Sequence, residues 1–224
     1  MPYHLDFDSL GLDFLEMRLA GEDLIPSQMV LRDGLADKLE RFREAGVATL
    51  ADLERKLATA KLLQGFSASS GVPAGYLTIL ARTLRGYRPK PVKLPDYPSV
   101  DARLVSLLAG QGIVDSRSLF DALHKRKERR IFARAAEADG DALLELVRLA
   151  DLSRIQWVSP LFARLLLEAG FSNTGEISRA KAFDVYLRVD EVNKDKKLFK
   201  GKIGTRDMGR LVFLAALLSH ELED

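Results

Sequence analysis

The sequence predicts an all-α protein built as two small helical bundles. Three observations carry that prediction. Apolar residues recur at three- and four-residue intervals along most of the 224 residues. Strand signals are nearly absent, "VKL" and "KLFKGKI" being the best short candidates. One helix–elbow–helix phrase is also written three times.

In chain order, "SLGLDFLEMRLA" (9–20) sets Leu12, Leu15 and Leu19 on one helical face. "IPSQMVLRDGLADKLERFREAG" continues the period through Leu31, Leu35, Leu39 and Phe42. It returns in "PAGYLTILARTLRGY", "DARLVSLLAG", "DALLELVRLADL", "PLFARLLLEAG" and "RDMGRLVFLAALLSHEL". Between these runs, "RPKPVKLPDYP" (88–98) holds four of the eight prolines. Proline removes amide donors and drives its predecessor out of helical space, so a stiff connector is expected here. The expected division is an N-terminal helical domain over 1–90, a Pro-rich linker over 91–96 and a C-terminal domain over 97–224. Docking of the Pro-rich stretch to a partner is the other reading.

The repeated phrase reads "EAGVATLADL" (44–53), "GQGIVDSRSL" (110–119) and "EAGFSNTGEI" (168–177). Aligned on Gly46, Gly112 and Gly170, the copies share Phe42, Leu108 and Leu166 four residues earlier, and Leu53, Leu119 and Ile177 seven residues later. Three residues after each glycine stands a favoured N-cap: Thr49, Asp115, Asn173. Asp52, Ser118 and Glu176 follow at the position from which a side chain can bond back. One helix therefore ends on a left-handed glycine, an apolar residue tucks into the core, and a capped second helix starts. Spacings of 66 and 58 residues suit duplicated small units better than a regular solenoid. One copy falls in the first domain and two in the second.

The bulk composition narrows the function classes. With no cysteine there is no disulfide and no thiolate metal site. The acidic opening "MPYHLDFDSL" is not a secretion signal, and the apolar run "LVFLAALL" (211–218) is far too short to span a bilayer. The expectation is a soluble cytoplasmic protein that needs no membrane. The net charge of +2 decides nothing, but its distribution is uneven. Up to residue 37 acids outnumber the two bases, Arg18 and Arg32, whereas bases gather in "HKRKERR" (124–130) and "NKDKKLFKGKIGTR" (193–206).

Those basic segments are the candidate nucleic-acid-binding residues. Arg126, Arg130 and Arg134 share a helical face at i, i+4 and i+8, with Arg129 beside them. Such a stripe can neutralise several phosphates, and it is also what a solvated helix face looks like. Lys194, Lys196, Lys197, Lys200, Lys202 and Arg206 surround Phe199. Charge with an interleaved aromatic can hold a single strand by stacking, or Phe199 can pin the loop to the bundle. "GKIGT" lacks the spacing and the preceding strand of a phosphate loop. His4, His124 and His220 lie far apart with no metal-ligand spacing, and no serine sits in a nucleophile elbow. No catalytic residue, metal or cofactor is expected.

The stretch "LSRIQWVSPLFARLL" (152–166) resembles a helix-hairpin-helix, with Ile155, Val158, Ala163 and Leu166 at its apolar positions. "ADLSRIQWVSPLFARLLLEAG" followed by "VDEVNKDKKLFKGKIGTRDM" is similar to the DUF4332 family of uncharacterised proteins. "LIPSQMVL" and "YLTILARTLRGYRPKPVKLPDYP" are similar to its longer members, so the likeness runs along nearly the whole chain. It implies a tandem of helix-hairpin-helix-like units, a fold used for binding nucleic acid or for docking proteins, and it implies no activity. The departure lies in the hairpin loop. Trp157 and Ser159 stand where loop glycines would approach a phosphate, and Pro160 removes an amide. Ser159 before Pro160 makes a good helix start and a poor phosphate cradle. Trp157 fills the hairpin gap or anchors an interface.

The expected function is thus a non-catalytic module that binds nucleic-acid (DNA) backbone without reading sequence. The alternative is a protein-interaction adaptor using the hairpin surfaces around Trp157, with the acidic N-terminal region facing a basic partner.

Overall fold

The computed structural model describes residues 3–21, 24 and 26–223. Among them regular structure is helical throughout, with no strand and two isolated bridges, Gly11–Thr49 and Lys93–Asp115. The chain forms two compact units, Asp6–Arg88 and Met1–Leu5 with Pro89–Asp224.

The smaller unit runs Leu12–Gly21 (α1), a 3-10 segment Pro26–Arg32, Leu35–Glu44 (α2), Leu50–Lys56 (α3), Ala60–Ser70 (α4) and Ala74–Gly86 (α5). Its core is Leu15, Leu19, Leu39, Phe42, Leu53 and Leu77, all fully buried. The single helical run expected across 26–46 is divided in two. Gly34 at φ +54° turns the chain left-handed, so the 3-10 segment stops and α2 begins afresh. Arg88 caps this unit, pairing with Glu54 at 2.8 Å while its guanidinium lies 3.7 Å from the Phe7 ring centre.

The larger unit contains Ala102–Ala109 (α6), Ser116–Leu123 (α7), Arg126–Ala135 (α8), Gly140–Leu152 (α9), Pro160–Glu168 (α10), Thr174–Arg179 (α11), Ala182–Lys196 (α12) and Thr205–Ala216 (α13). α9 packs on α7, α8 and α10, while α13 packs on α11 and α12. The Pro-rich stretch is built into this unit. Leu94 and Tyr97 are buried, Leu94–Asp96 forms a 3-10 turn, and the Leu94 amide donates to Val114 O.

The three elbows are the same object at hydrogen-bond level. Gly46, Gly112 and Gly170 adopt φ of +76°, +76° and +81°. The amides of Val47, Ile113 and Phe171 each donate to the carbonyl five residues back, on Phe42, Leu108 and Leu166, at 3.0 Å. The glycine amides donate to Arg43, Ala109 and Leu167, which completes a Schellman closure in every copy. Thr49, Asp115 and Asn173 then accept from the amides of Asp52, Ser118 and Glu176. Those three side chains bond back to the amides of Ala48, Val114 and Ser172. The amides of Thr49 and Ala48 hold the Asp52 carboxyl down to about 2.

The copies differ in what satisfies the first amide of the second helix. Leu50 N–H donates to Leu10 O at 2.8 Å, and Ser116 N–H donates to Val92 O at 2.8 Å. In both, an extended piece of incoming chain supplies the acceptor. The third copy replaces it with a side chain: Thr174 N–H donates to Asp151 Oδ2 at 2.7 Å.

Alanine at Gly46 or Gly112 is expected to cost about 1 kcal/mol each, because a Cβ there meets nothing within 4 Å and only the left-handed backbone resists it. A Cβ at Gly170 would meet the Arg188 guanidinium, but that side chain is exposed and can swing off the Phe171 ring. Gly170→Ala should therefore cost nearly the same. Urea midpoints of the three variants check this, and a cost above about 3 kcal/mol at any one would refute it.

Candidate functional site

The hairpin between α9 and α10 is held from beneath. Arg154 and Asp151 pair at 2.6 Å with side chains 0% and 1% exposed. Arg154 also donates to Tyr3 O, Ser219 O and Ser219 Oγ, and its guanidinium lies 4.2 Å from the Phe120 ring centre. Ile155 and Val158 turn inward and are buried. The residue between them that faces out is Trp157, 61% exposed. Ser159 caps α10 by accepting from the Phe162 amide at 3.2 Å, and Pro160 occupies the first helical position.

Trp157 has φ +71°. That is backbone a glycine adopts freely and a bulky side chain adopts at a cost of about 1–2 kcal/mol. Strain of this kind persists where surrounding structure enforces it, and it collects at sites that do something. Beside Trp157 opens a cleft of about 200 Å³. It is lined by the apolar Val158, Phe162, Phe199, Met208, Leu211 and Leu214, by the cations Lys202 and Arg210, and by Gln156, Ser159 and Asp207. The Arg210 guanidinium lies 5.9 Å from the Trp157 ring centre, within range of a cation–π contact.

The loop that closes the cleft is fixed by a residue the sequence reading passed over. Asn193 accepts from the Phe199 amide at 2.7 Å and donates to Phe199 O at 2.9 Å. The Phe199 ring meets Phe162 edge to face at 5.2 Å, so it pins the loop as well as lining the cleft. It packs so closely over Gly201 that a Cβ there would strike the ring at 2.4 Å.

The cations of the second basic segment, with Arg210 beyond it, fall into three groups. Lys202, Arg206 and Arg210 gather at the cleft end of α13, where Arg206 and Arg210 are four residues apart on one face. Lys197 ends α12 at φ +51° and Lys200 is exposed in the loop. Lys194 pairs with Asp190 at 2.6 Å, which raises its pKa, and Lys196 pairs with Glu168. Exposed pairs of this kind are screened by solvent, so they exchange easily for a phosphate.

Arg126, Arg130 and Arg134 are exposed along α8. Arg129 is buried instead, donating to the carbonyls of Leu123, His124 and Glu223. It closes the C-terminal end of α7 and does not share the exposed stripe. The Arg126 amide donates to Glu223 Oε2, so α8 begins beside the tail that follows α13. Lys202 and Arg206 lie at the opposite, N-terminal end of α13. The two basic segments thus mark different ends of one helix.

Arg210 was missed because the run of bases ends at Arg206; the four-residue spacing between them was the available signal. Among the described residues no group of three or more His, Cys, Asp or Glu could hold a metal ion, and no helix is long and apolar enough to cross a membrane. His124 and His220 are each bonded to a nearby carbonyl, of Phe120 and Ala215.

The Trp157→Gly variant is expected to fall within about 1 kcal/mol of the parent. Relief of left-handed strain, about 1–2 kcal/mol, opposes the entropy cost of glycine, about 0.5–1 kcal/mol. A loss above about 2 kcal/mol in urea unfolding would mean that Trp157 packs rather than presents its ring.

These features define a protein that is all-helical among the described residues and organised on glycine elbows, with an exposed tryptophan at a hairpin tip beside a cleft lined in part by Lys202 and Arg210. The family model described as a domain of unknown function, DUF4332, matches residues 98–216. That is more than half the chain, which therefore belongs to the DUF4332 family. No curated protein and no solved structure matches it.

Proposed function

We propose that the protein is a non-catalytic module that binds nucleic-acid backbone without reading sequence. The observation that supports this best is that Lys202 and Arg210 line the cleft beside Trp157, with Arg206 one turn from Arg210 on α13. The helix-hairpin-helix-like character of 152–166 belongs to the same reading. The hairpin has exchanged loop glycines for Trp157 and Ser159, so side-chain cations replace backbone amides as phosphate partners. The α8 stripe Arg126, Arg130 and Arg134 is a second contact region. An adaptor reading, in which the cleft takes a protein side chain, rests on the exposed Trp157 alone. A cytoplasmic location fits either reading.

Polarisation titrations with random-sequence DNA and RNA oligonucleotides across a salt series test the proposal. Binding should weaken linearly in log–log form. Neutralising Lys202, Arg206 and Arg210 together, each to Gln, should lower the slope for single strands by about 2, from about 0.7 per phosphate contact. No binding at low salt, or a complex indifferent to salt, refutes it.

A further inference from the structure

We infer that the cleft beside Trp157 receives one unstacked base of a single strand, with the adjoining phosphates held by Lys202 and Arg210. This rests on the nucleic-acid reading above and narrows its ligand to the single-stranded form.

The shape of the cleft sets the ligand. At about 200 Å³ it is smaller than the roughly 300–1,000 Å³ of sites that enclose a whole small molecule. It is the right scale for one planar ring system. Phe162, Phe199 and Met208 offer apolar contact to any base, and of the polar groups beside them Ser159 and Asp207 are already engaged by the Phe162 and Gly204 amides. Of the charged side chains that line the cleft, Lys202 and Arg210 are cations that can hold flanking phosphates, while the carboxylate of Asp207 is engaged by the Gly204 amide at 3.0 Å. A base in a paired duplex is shielded by its neighbours and cannot enter without unstacking, which costs a few kcal/mol.

The backbone supports the same conclusion. Nothing in the packing of the hairpin requires a tryptophan at position 157, since Ile155 and Val158 supply the buried contacts and Trp157 stays 61% exposed. A large ring held out at φ +71° is costly and unused unless something covers it. Asn193 and the Phe199–Phe162 contact fix the Phe199 part of the lining before a ligand arrives.

Trp157 is the only tryptophan in the chain, so its fluorescence reports on this site alone. The full chain is titrated with oligo(dT), with an abasic deoxyribose-phosphate chain of equal length, with a blunt duplex, and with an acidic peptide carrying one aromatic residue. Oligo(dT) should quench Trp157, and the abasic chain and duplex should bind with little quenching. In polarisation, Trp157→Gly should weaken oligo(dT) binding roughly 5- to 150-fold, the range that base stacking on an aromatic ring supplies, and leave the abasic chain unchanged. If the abasic chain binds and quenches as well as oligo(dT), or if Trp157→Gly changes nothing, the base cleft is overturned while backbone binding stands. If no nucleic acid binds, the broader proposal fails first. Quenching by the peptide alone assigns the cleft to a protein partner and overturns both.

Discussion

Replacing Arg154 with methionine is expected to destabilise the larger unit by about 3–5 kcal/mol, the usual loss when one member of a buried ion pair is removed. Both side chains of the Arg154–Asp151 pair are shut off from solvent, so Asp151 would be left as a buried charge with one amide partner, Thr174 N–H. The same guanidinium holds Tyr3 O from the N-terminal segment and Ser219 from the C-terminal one. Methionine is of similar length and keeps apolar contact with Phe120, so the effect isolates charge and hydrogen bonds. The Asp151→Asn/Arg154→Met double variant should recover part of the loss. Asparagine Oδ1 can still accept from Thr174 while no buried charge remains. A double-mutant cycle in urea reads this as a coupling energy, and additive losses, or a single-variant cost below about 1 kcal/mol, would reject the account.

Alkaline pH between 10 and 12 should destabilise the larger unit. Burial, with Tyr97 nearby, raises the pKa of Tyr3 far above the ordinary phenol value, and burial pushes Tyr97 up to about 12. An unfolded phenol ionises near 10, so the folded state holds these protons after the unfolded state has released them. The stabilisation is fully present below pH 10 and is lost as pH rises through 12. Tyr97 alone accounts for roughly 2–3 kcal/mol across that window. Tyr3 adds to it, being buried and hydrogen-bonded to Ser116 Oγ at 2.6 Å. Urea midpoints at pH 9 and 11.5 should differ sharply, and Tyr97→Phe should flatten the difference. A midpoint that does not move between these pH values would show that the phenols ionise in place.

The elbows were legible because their closure and capping bonds join residues within five positions. Glycine at C′, an apolar residue after it and a polar cap three residues on are local chemistry, and Gly46, Gly112 and Gly170 take the left-handed backbone that pattern requires. The division at Gly34 was equally local, but the apolar period continued across it and hid the break. The candidate interface was less legible. Arg129 reads as one more surface base, and its partner carbonyls on Leu123, His124 and Glu223 become visible only when α7, α8 and the tail meet. Phe199 and Trp157 stand 42 positions apart in sequence, and only packing brings both into the lining of one cleft.

By itself the sequence determined the helical class, the three elbows and the family, because periodicity, capping and glycine placement act over one or two turns. Tertiary structure decided which charges are spent and which are presented. Asp151 does for Thr174 what backbone carbonyls do for Leu50 and Ser116, Tyr3–Leu5 join the larger unit rather than the chain that follows them, and Arg210 comes to stand over Trp157. Each of these depends on a partner dozens of residues away, and no local pattern encodes that distance.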